Sequence, residues 1–242
     1  MQLAYGVHSQ HDLLEKWVRL PTYLRPPPSR LRPYVARAVR DRGLLFIHVP
    51  KNGGTSIATV LYGAMLGHKT ALFHQTVDPE LFERAAPFAT LRDPVDRFIS
   101  AYWYIRRGGG SHSRMSEWFA RSCKQIASVD DLLDYIEEHW RDLFVLDHVL
   151  RPQVWYLQDK HGRLVVDRLF VLGQDDERLA EFLGRYGVAH IPVLNTTDKG
   201  ELTLTPSQRA RVLALYADDV ELLNRLTPRA DFYAETGDLQ SA

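Results

Sequence analysis

The chain has little cysteine, no excess of charge of either sign and no long apolar run. It contains one cysteine, Cys123, among 242 residues, so no disulfide can form within the chain. The 30 basic residues balance the 30 acidic ones, which argues against a nucleic-acid partner. No apolar stretch approaches the roughly 20 residues that cross a bilayer, and Met1–Tyr5 does not begin a secretory leader. We therefore expect a cytoplasmic protein without a membrane span.

The composition predicts one domain preceded by a peripheral arm. Residues 1–42 contain the run Pro26-Pro27-Pro28 and several arginines, which is typical of an exposed segment. The apolar pattern becomes regular after Gly43. We therefore predict an arm over 1–42 and a single domain over 43–242.

Two strand-to-helix units follow each other in the first half of the chain. The first has a predicted buried strand over Leu44–Val49, a glycine turn, and a helix over 56–66. The second has a predicted strand over Pro87–Leu91 and a helix that Asp93 caps and Pro94 begins. This order predicts an α/β fold in which helices flank a central parallel sheet.

The second half of the chain is predicted to be mainly helical. Apolar spacing indicates helices over 129–138 and 175–186. Residues 164–172 contain two apolar runs, which predict a strand pair or one interrupted strand. Thr205 and Pro206 form an N-cap and first-turn pair, which predicts one long helix reaching about residue 226.

The first glycine turn has the composition of an anion site. It reads Pro50-Lys51-Asn52-Gly53-Gly54-Thr55-Ser56 and leads into a helix N-terminus, where backbone N–H groups and the helix dipole attract negative charge. The glycines let the backbone approach an anion closely. The lysine adds a positive charge, and the threonine and serine add hydroxyl donors. The common P-loop motif has its lysine after the glycines, whereas here the lysine comes first.

A second group of anion-binding side chains follows the second predicted strand. Arg92 lies where that strand ends, and Arg97 and Ser100 are spaced i and i+3 along the next helix. Arginine with a serine hydroxyl suits a terminal phosphate, but a surface salt-bridge cluster with Asp93 and Asp96 is an equally good interpretation of this group alone. Two such sites on successive units suggest one ligand with two anionic ends.

Both motifs resemble those of a known enzyme family. Residues 46–57 resemble the 5′-phosphosulfate loop, and residues 91–102 the 3′-phosphate motif, of the carbohydrate sulfotransferases related to heparan sulfate 2-O-sulfotransferase. Weaker similarity continues to residue 226 and includes Arg151-Pro152-Gln153. The resemblance implies a soluble, bacterial-type member with a P-loop-NTPase-like sheet. It also implies the donor 3′-phosphoadenosine 5′-phosphosulfate (PAPS), the product adenosine 3′,5′-bisphosphate, and no metal.

The resemblance also implies a role for each motif residue. Lys51 would contact the bridging oxygen of PAPS, and Asn52–Ser56 would hold the 5′-phosphosulfate. Arg92 and Ser100 would bind the 3′-phosphate. Asn52 departs from the family pattern, because threonine is more usual there. The implied reaction is in-line transfer to a hydroxyl of a sugar or other small molecule, with charge on the leaving phosphate stabilised by Lys51 and loop N–H groups.

The acceptor hydroxyl must lose a proton, and a histidine is the natural base. His68 and His74 lie between the two motifs, in the stretch from which the resembling enzymes take their catalytic histidine or glutamate. Both are candidates, and His68 is preferred narrowly. His48 lies inside a predicted strand and suits a core role, whereas His112 lies in a Gly/Ser-rich loop and suits an exposed one.

Two other functions compete with sulfuryl transfer. A P-loop kinase of a small molecule should carry its lysine after the glycines and an acidic magnesium ligand at a strand end, and neither is evident. Loss of the lysine or the serine would favour a non-catalytic nucleotide-binding module, yet Lys51, Arg92 and Ser100 are all present. Because the motifs concern only the donor, the acceptor is predicted no further than a small molecule or glycan.

Overall fold

Helices surround a small parallel sheet in the part of the chain that a computed structural model describes, namely residues 10–25, 35–63, 67–110, 113–115, 117–188, 190 and 202–226. The strands are β1 (Leu44–Phe46), β2 (Ala86–Leu91), β3 (Gly109–Gly110), β4 (Ser113–Arg114) and β5 (Arg168–Val171). The helices are α1 (Gln10–Arg19), α2 (Val35–Arg42), α3 (Gly54–Tyr62), α4 (Ala71–Val77), α5 (Pro79–Arg84), α6 (Pro94–Arg106), α7 (Glu117–Ser122), α8 (Val129–His139), α9 (Val154–Leu157), α10 (Asp176–Gly184), α11 (Pro206–Leu215) and α12 (Ala217–Leu226). Short 3₁₀ helices cover Thr22–Leu24, Cys123–Gln125 and His148–Leu150. Within these ranges, no helix is long and apolar enough to cross a membrane.

The central sheet has the strand order β1-β2-β5, and both pairings are parallel. Leu44 pairs with Ala86, and Phe88 pairs with Arg168. The prediction of a parallel sheet flanked by helices is therefore confirmed. Because the strands are parallel, their carboxyl ends lie at the same edge, which is where open α/β sheets bind ligands.

Both faces of this sheet are buried, because alternate residues of a strand point to opposite sides. One face carries Leu45, Ile47, Val49, Ala89, Leu91, Leu169 and Val171, which pack with residues of α9 and α12. The other face carries Leu44, Phe46, Phe88 and Phe170, which pack with residues of α3 and α10. A further apolar cluster joins α6, α8 and α11. Short, continuously apolar strands are the expected consequence of burial on both faces.

The boundaries of the two helices after β1 and β2 follow from local chemistry. Helix α3 ends at Gly63, whose φ of 64° is left-handed and suits glycine. Helix α6 begins at Pro94, and the Asp93 carboxylate accepts hydrogen bonds from the N–H groups of Val95 and Asp96. The predicted cap at Asp93 is confirmed. The first helix is shorter than predicted because Gly63 stops it.

One prediction for the second half of the chain is wrong, and another is confirmed only in part. The expected single helix from Thr205 to Leu226 is two helices, since the chain breaks at Tyr216. The hydroxyl of this buried tyrosine donates to the carbonyl of Leu150 at 2.7 Å, so tertiary packing outweighs helix continuation. Of the two apolar runs predicted within residues 164–172, the second forms β5, whereas Leu164 in the first forms only an isolated bridge with Gln158.

Helix α1 lies in the segment expected to be a peripheral arm, yet it packs into the folded core. Its Asp12 forms a bidentate ion pair with Arg151 at 2.7 and 2.8 Å, and both side chains are buried. Its Glu15, also buried, accepts hydrogen bonds from the backbone N–H and hydroxyl of Thr70 at 2.9 and 2.7 Å. Pro26-Pro27-Pro28 lies outside the described residues.

We expect Asp12→Ala to lower the free energy of unfolding by about 3 kcal/mol, because it leaves the guanidinium of Arg151 buried without its carboxylate. The measurement is urea unfolding of both proteins. Asp41→Ala is the control, since its ion pair with Arg37 is exposed and should contribute less than about 0.5 kcal/mol. Equal effects of the two substitutions would contradict the packing of α1 into the core.

Candidate active site

The two predicted anion-binding motifs lie side by side at the carboxyl edge of the sheet. The glycine loop follows β1, and Arg92 follows the neighbouring strand β2. Lys51, Thr55, Ser56, Arg92 and Ser100 are all partly exposed here. The structure thus brings the carboxyl ends of the two predicted units to one edge of the sheet.

A buried hydrogen-bond network joins the two motifs. The Asn52 amide nitrogen donates to the Thr90 carbonyl at 2.9 Å and to Gln153 Oε1 at 2.7 Å. The Thr90 hydroxyl donates back to the Asn52 carbonyl at 2.8 Å. Gln153 Oε1 also accepts from the Arg92 N–H at 3.0 Å, and Gln153 Nε2 donates to the Arg92 carbonyl at 2.9 Å. One glutamine side chain therefore sets the spacing of both motifs.

Asp219 of α12 holds Gln153 in place. Its carboxylate accepts hydrogen bonds from the N–H groups of Gln153 and Val154, both at 2.9 Å. Burial raises the pKa of Asp219, while the charge of Arg97 and these hydrogen bonds oppose the rise. The C-terminal helix pair thus reaches the centre of the site through one carboxylate.

The Asn52 side chain points into the protein and braces the loop. The residue is fully buried, and both its amide hydrogen bonds go to protein acceptors. Its Oδ1 is buried and has no hydrogen-bond partner. Any contact of Asn52 with a ligand bound at the loop must therefore be made by its backbone. This geometry also accounts for an amide here, since a threonine hydroxyl cannot donate to both acceptors.

Lys51 has a left-handed backbone conformation, with φ of 67°, which costs a residue with a side chain about 1–2 kcal/mol. Its neighbours impose this conformation. Arg97 Nε donates to the Pro50 carbonyl at 3.1 Å, and Asn52 is fixed on the other side. The Lys51 ammonium lies over the Tyr104 ring, 4.7 Å from its centroid. The lysine is thus held in position before any ligand arrives.

The N-termini of α3 and α6 differ in what remains for an anion. Helix α3 begins after Gly53, whose φ is 69°, and no side chain caps it. The Asp93 carboxylate occupies the corresponding N–H groups of α6. An anion can therefore cap α3 through backbone N–H groups, whereas an anion near α6 must be bound by side chains such as Arg92 and Ser100.

The structure corrects the expectation for Arg97. Its guanidinium is buried, and it donates to the carbonyls of Pro50 and Val149 at 3.1 and 3.2 Å. It therefore fixes two backbone segments and is not part of an open anion site. Arg92 is different, because its side chain is 21% exposed and makes a long, 3.4 Å contact with Asp96. Such an exposed contact is weak and easily exchanged for a phosphate.

The rings of His48, His68 and His148 pack in a row, here called the histidine stack, next to the glycine loop. The centroids of His48 and His68 are 4.2 Å apart, and those of His68 and His148 are 4.7 Å apart. His68 Nδ1 lies 3.0 Å from the carbonyl of His48, which requires a proton on Nδ1, so Nε2 of the neutral ring carries the lone pair. His148 Nδ1 lies 2.8 Å from the carboxylate of Asp147. Among the described residues, no group of three His, Cys, Asp or Glu could hold a metal ion.

The other candidate base, His74, is not in this stack. Its ring packs edge-on against Phe73 in α4, with centroids 5.5 Å apart. Burial, assisted by the charge of Lys69, lowers the pKa of His74 to about 4. At neutral pH the ring is therefore uncharged and a weak proton acceptor. His112 lies outside the described residues.

A family model for the sulfotransferase family matches residues 36–224. The match covers both motifs, the histidine stack and Gln153. The chain belongs to the sulfotransferase family. Membership supports sulfuryl transfer and a P-loop-like fold for this sulfotransferase. No curated protein and no solved structure matches the chain. Helix α1 lies before the matched residues, and it contacts them through the ion pair of Asp12 with Arg151.

Several residues of the site carried no role in the sequence analysis. Gln153 belongs to a run that resembles a family block, but only the structure shows that it joins the two motifs. Tyr104 lies in the helix of the second unit, and only the structure shows that its ring faces Lys51 of the first. His148 had one available signal, its position directly after an aspartate. That signal is weak, because an acidic residue beside a histidine is common in any sequence.

Gly54 has no room for a side chain, because a Cβ atom there would lie 2.1 Å from Cδ2 of His48. We expect Gly54→Ala to displace the His48 ring and to lower the free energy of unfolding by about 1–3 kcal/mol. Gly184→Ala is the matched control, since no atom lies within 4 Å of its added Cβ and alanine favours helix. Urea unfolding measures both, and a neutral Gly54→Ala would contradict the contact.

Proposed function

We propose that the protein is a PAPS-dependent sulfotransferase that modifies a hydroxyl of a sugar or other small molecule, like the carbohydrate sulfotransferases related to heparan sulfate 2-O-sulfotransferase. The observation that carries this proposal is the fixed pairing of the two motifs. The uncapped N-terminus of α3 follows β1, Arg92 follows the neighbouring strand β2, and Gln153 bonds to both segments. PAPS has two anionic ends, a 5′-phosphosulfate and a 3′-phosphate, which suit two adjacent anion sites.

In this proposal the 5′-phosphosulfate lies on the glycine loop. The backbone N–H groups of Asn52–Ser56 and the hydroxyls of Thr55 and Ser56 bind its oxygens. Arg92 and Ser100 bind the 3′-phosphate through side chains, since Asp93 already caps α6. The donor side requires no metal, because these groups are themselves positive or are hydrogen-bond donors.

Lys51 acts on the leaving group. As the sulfur–oxygen bond breaks, negative charge grows on the phosphate oxygen that had joined phosphorus to sulfur. An ammonium already held beside that oxygen stabilises the charge without reorganisation during the reaction. The constrained backbone at Lys51 and the ring of Tyr104 supply that preorganisation.

The proton of the acceptor hydroxyl goes to a histidine beside the loop. Of the two histidines that the sequence singled out, His68 has the better position, because its ring packs against that of His48, two residues after β1. His74 is the weaker candidate, because it lies within α4 and its pKa is low. A small-molecule or glycan acceptor would approach from the exposed side of this stack.

We expect adenosine 3′,5′-bisphosphate to raise the melting temperature by about 5 °C or more at 100 times its Kd, without magnesium. Thermal shift is the measurement. Arg92→Ala should remove most of the rise. Arg185→Ala should not, because Arg185 is an exposed arginine that pairs with Glu181. Adenosine 5′-monophosphate, which lacks the 3′-phosphate, should stabilise less. Stabilisation by ATP only with magnesium would instead indicate a kinase.

We expect Lys51→Ala to lower turnover at least about 100-fold, because the lysine stabilises charge that develops only in the transition state. The bisphosphate-induced rise in melting temperature should largely remain. Turnover is measured by mass spectrometry with PAPS and a mixture of simple glycosides and phenols, as the mass gain of one sulfuryl group. Lys160→Ala, at an exposed position, is the control. Unchanged turnover of Lys51→Ala would refute the assigned role.

A further inference from the structure

Asp147 and His148 form a pair of the kind that orients a catalytic base. Asp147 is almost fully buried, with 7% of its side chain exposed, whereas 31% of the His148 side chain is exposed. The 2.8 Å contact joins His148 Nδ1 to the carboxylate, so Nδ1 carries the donated proton and Nε2 of the neutral ring carries the lone pair. A buried carboxylate behind a half-exposed imidazole fixes the ring and leaves Nε2 for a substrate.

Asp147 is held in its ionised form. Burial alone would raise its pKa, but the charge and hydrogen bond of His148, the N–H of Val149 and the charge of Arg151 hold the pKa below its usual range. The Val149 N–H donates to Asp147 Oδ1 at 3.1 Å. The negative charge is thus present when the imidazole gains a proton, and it stabilises the imidazolium that forms.

The pair lies beside the glycine loop. Arg97 donates through one guanidinium to the carbonyls of Pro50 and Val149, the residues next to Lys51 and His148 respectively. The Tyr156 hydroxyl donates to the His148 carbonyl at 2.7 Å. The backbone that carries His148 is therefore fixed relative to the loop, as a catalytic group requires.

His68 differs from His148 in the group behind the ring. His68 donates to the neutral carbonyl of His48, whereas His148 donates to a carboxylate. A neutral imidazole has one nitrogen with a lone pair, and it becomes a cation when that nitrogen accepts a proton. A carboxylate stabilises that cation more than a carbonyl does. The geometry therefore favours His148 as the proton acceptor and His68 as the ring that packs against it.

Resting on the proposed function, we propose that His148, oriented by Asp147, is the general base of the sulfuryl transfer. His148 Nε2 takes the proton of the acceptor hydroxyl, and the oxygen forms a bond to the sulfur of PAPS. The bond from sulfur to the bridging oxygen breaks, and its electron pair stays on the phosphate of the bisphosphate product. The imidazolium then returns its proton to solvent.

The first test compares His148→Asn, His68→Asn and His139→Asn in the mass-spectrometric assay with PAPS and the glycoside and phenol mixture. Asparagine keeps a donor for Asp147 but removes the base. His139 is a matched control, since it is half-buried and its Nδ1 also contacts a carbonyl, that of Tyr135 at 2.8 Å.

We expect His148→Asn to lower turnover at least about 100-fold, while the bisphosphate still raises its melting temperature as in the wild type. His68→Asn should lose less turnover than His148→Asn, and the turnover of His139→Asn should stay within about twofold of the wild type. The proposal is overturned if the turnover of His148→Asn stays within about threefold of the wild type, or if His68→Asn loses more turnover than His148→Asn. A wild-type chain that neither binds the bisphosphate nor transfers sulfuryl would refute the proposed function itself.

A second measurement does not depend on the acceptor. In the full chain labelled with ¹³C-histidine, the ring signal of His148 is the one that His148→Asn removes. Addition of adenosine 3′,5′-bisphosphate should move this signal and leave that of His139 in place. A His148 signal that does not respond to the bisphosphate overturns its placement beside the donor.

Discussion

The buried hydrogen bonds of Asn52, Thr90 and Gln153 are the constraint on which the site depends. They join the ends of two neighbouring strands, and each partner lies far from the others along the chain. Such networks act as a unit, because a buried polar group that loses its partner costs more free energy than one hydrogen bond contributes. The distance between the two anion-binding motifs is therefore set by the fold before any ligand binds.

The same network makes the conformation of Lys51 possible. A left-handed lysine is unfavourable by itself, so it persists only where its neighbours are fixed. Asn52 is fixed by the network, and Pro50 is fixed by the buried guanidinium of Arg97. Arg97 also reaches Val149, the residue after His148. One buried arginine thus fixes the glycine loop, the donor side of the site, relative to the backbone next to His148, the histidine side.

Helix α1 adds a second connection on the histidine side. Glu15 binds Thr70, two residues after His68, and Asp12 binds Arg151, three residues after His148. These buried contacts come from a helix that precedes the part of the chain matched by the family. The donor half of the site therefore depends on elements within the matched region, whereas the histidine half is also supported by an element outside it.

The sequence by itself determined the features that depend on short-range chemistry. The cap at Asp93, the proline at position 94, the two strand-to-helix units and the glycine turn all depend on residues within a few positions of each other. Tertiary structure alone decided which way the polar side chains of the site point. Asn52 turns inward to Gln153 across 101 positions, and His148 lies beside the loop because of contacts at Pro50. Periodicity contains no information about such distant partners, since it reports which face of an element is buried and not what that face meets.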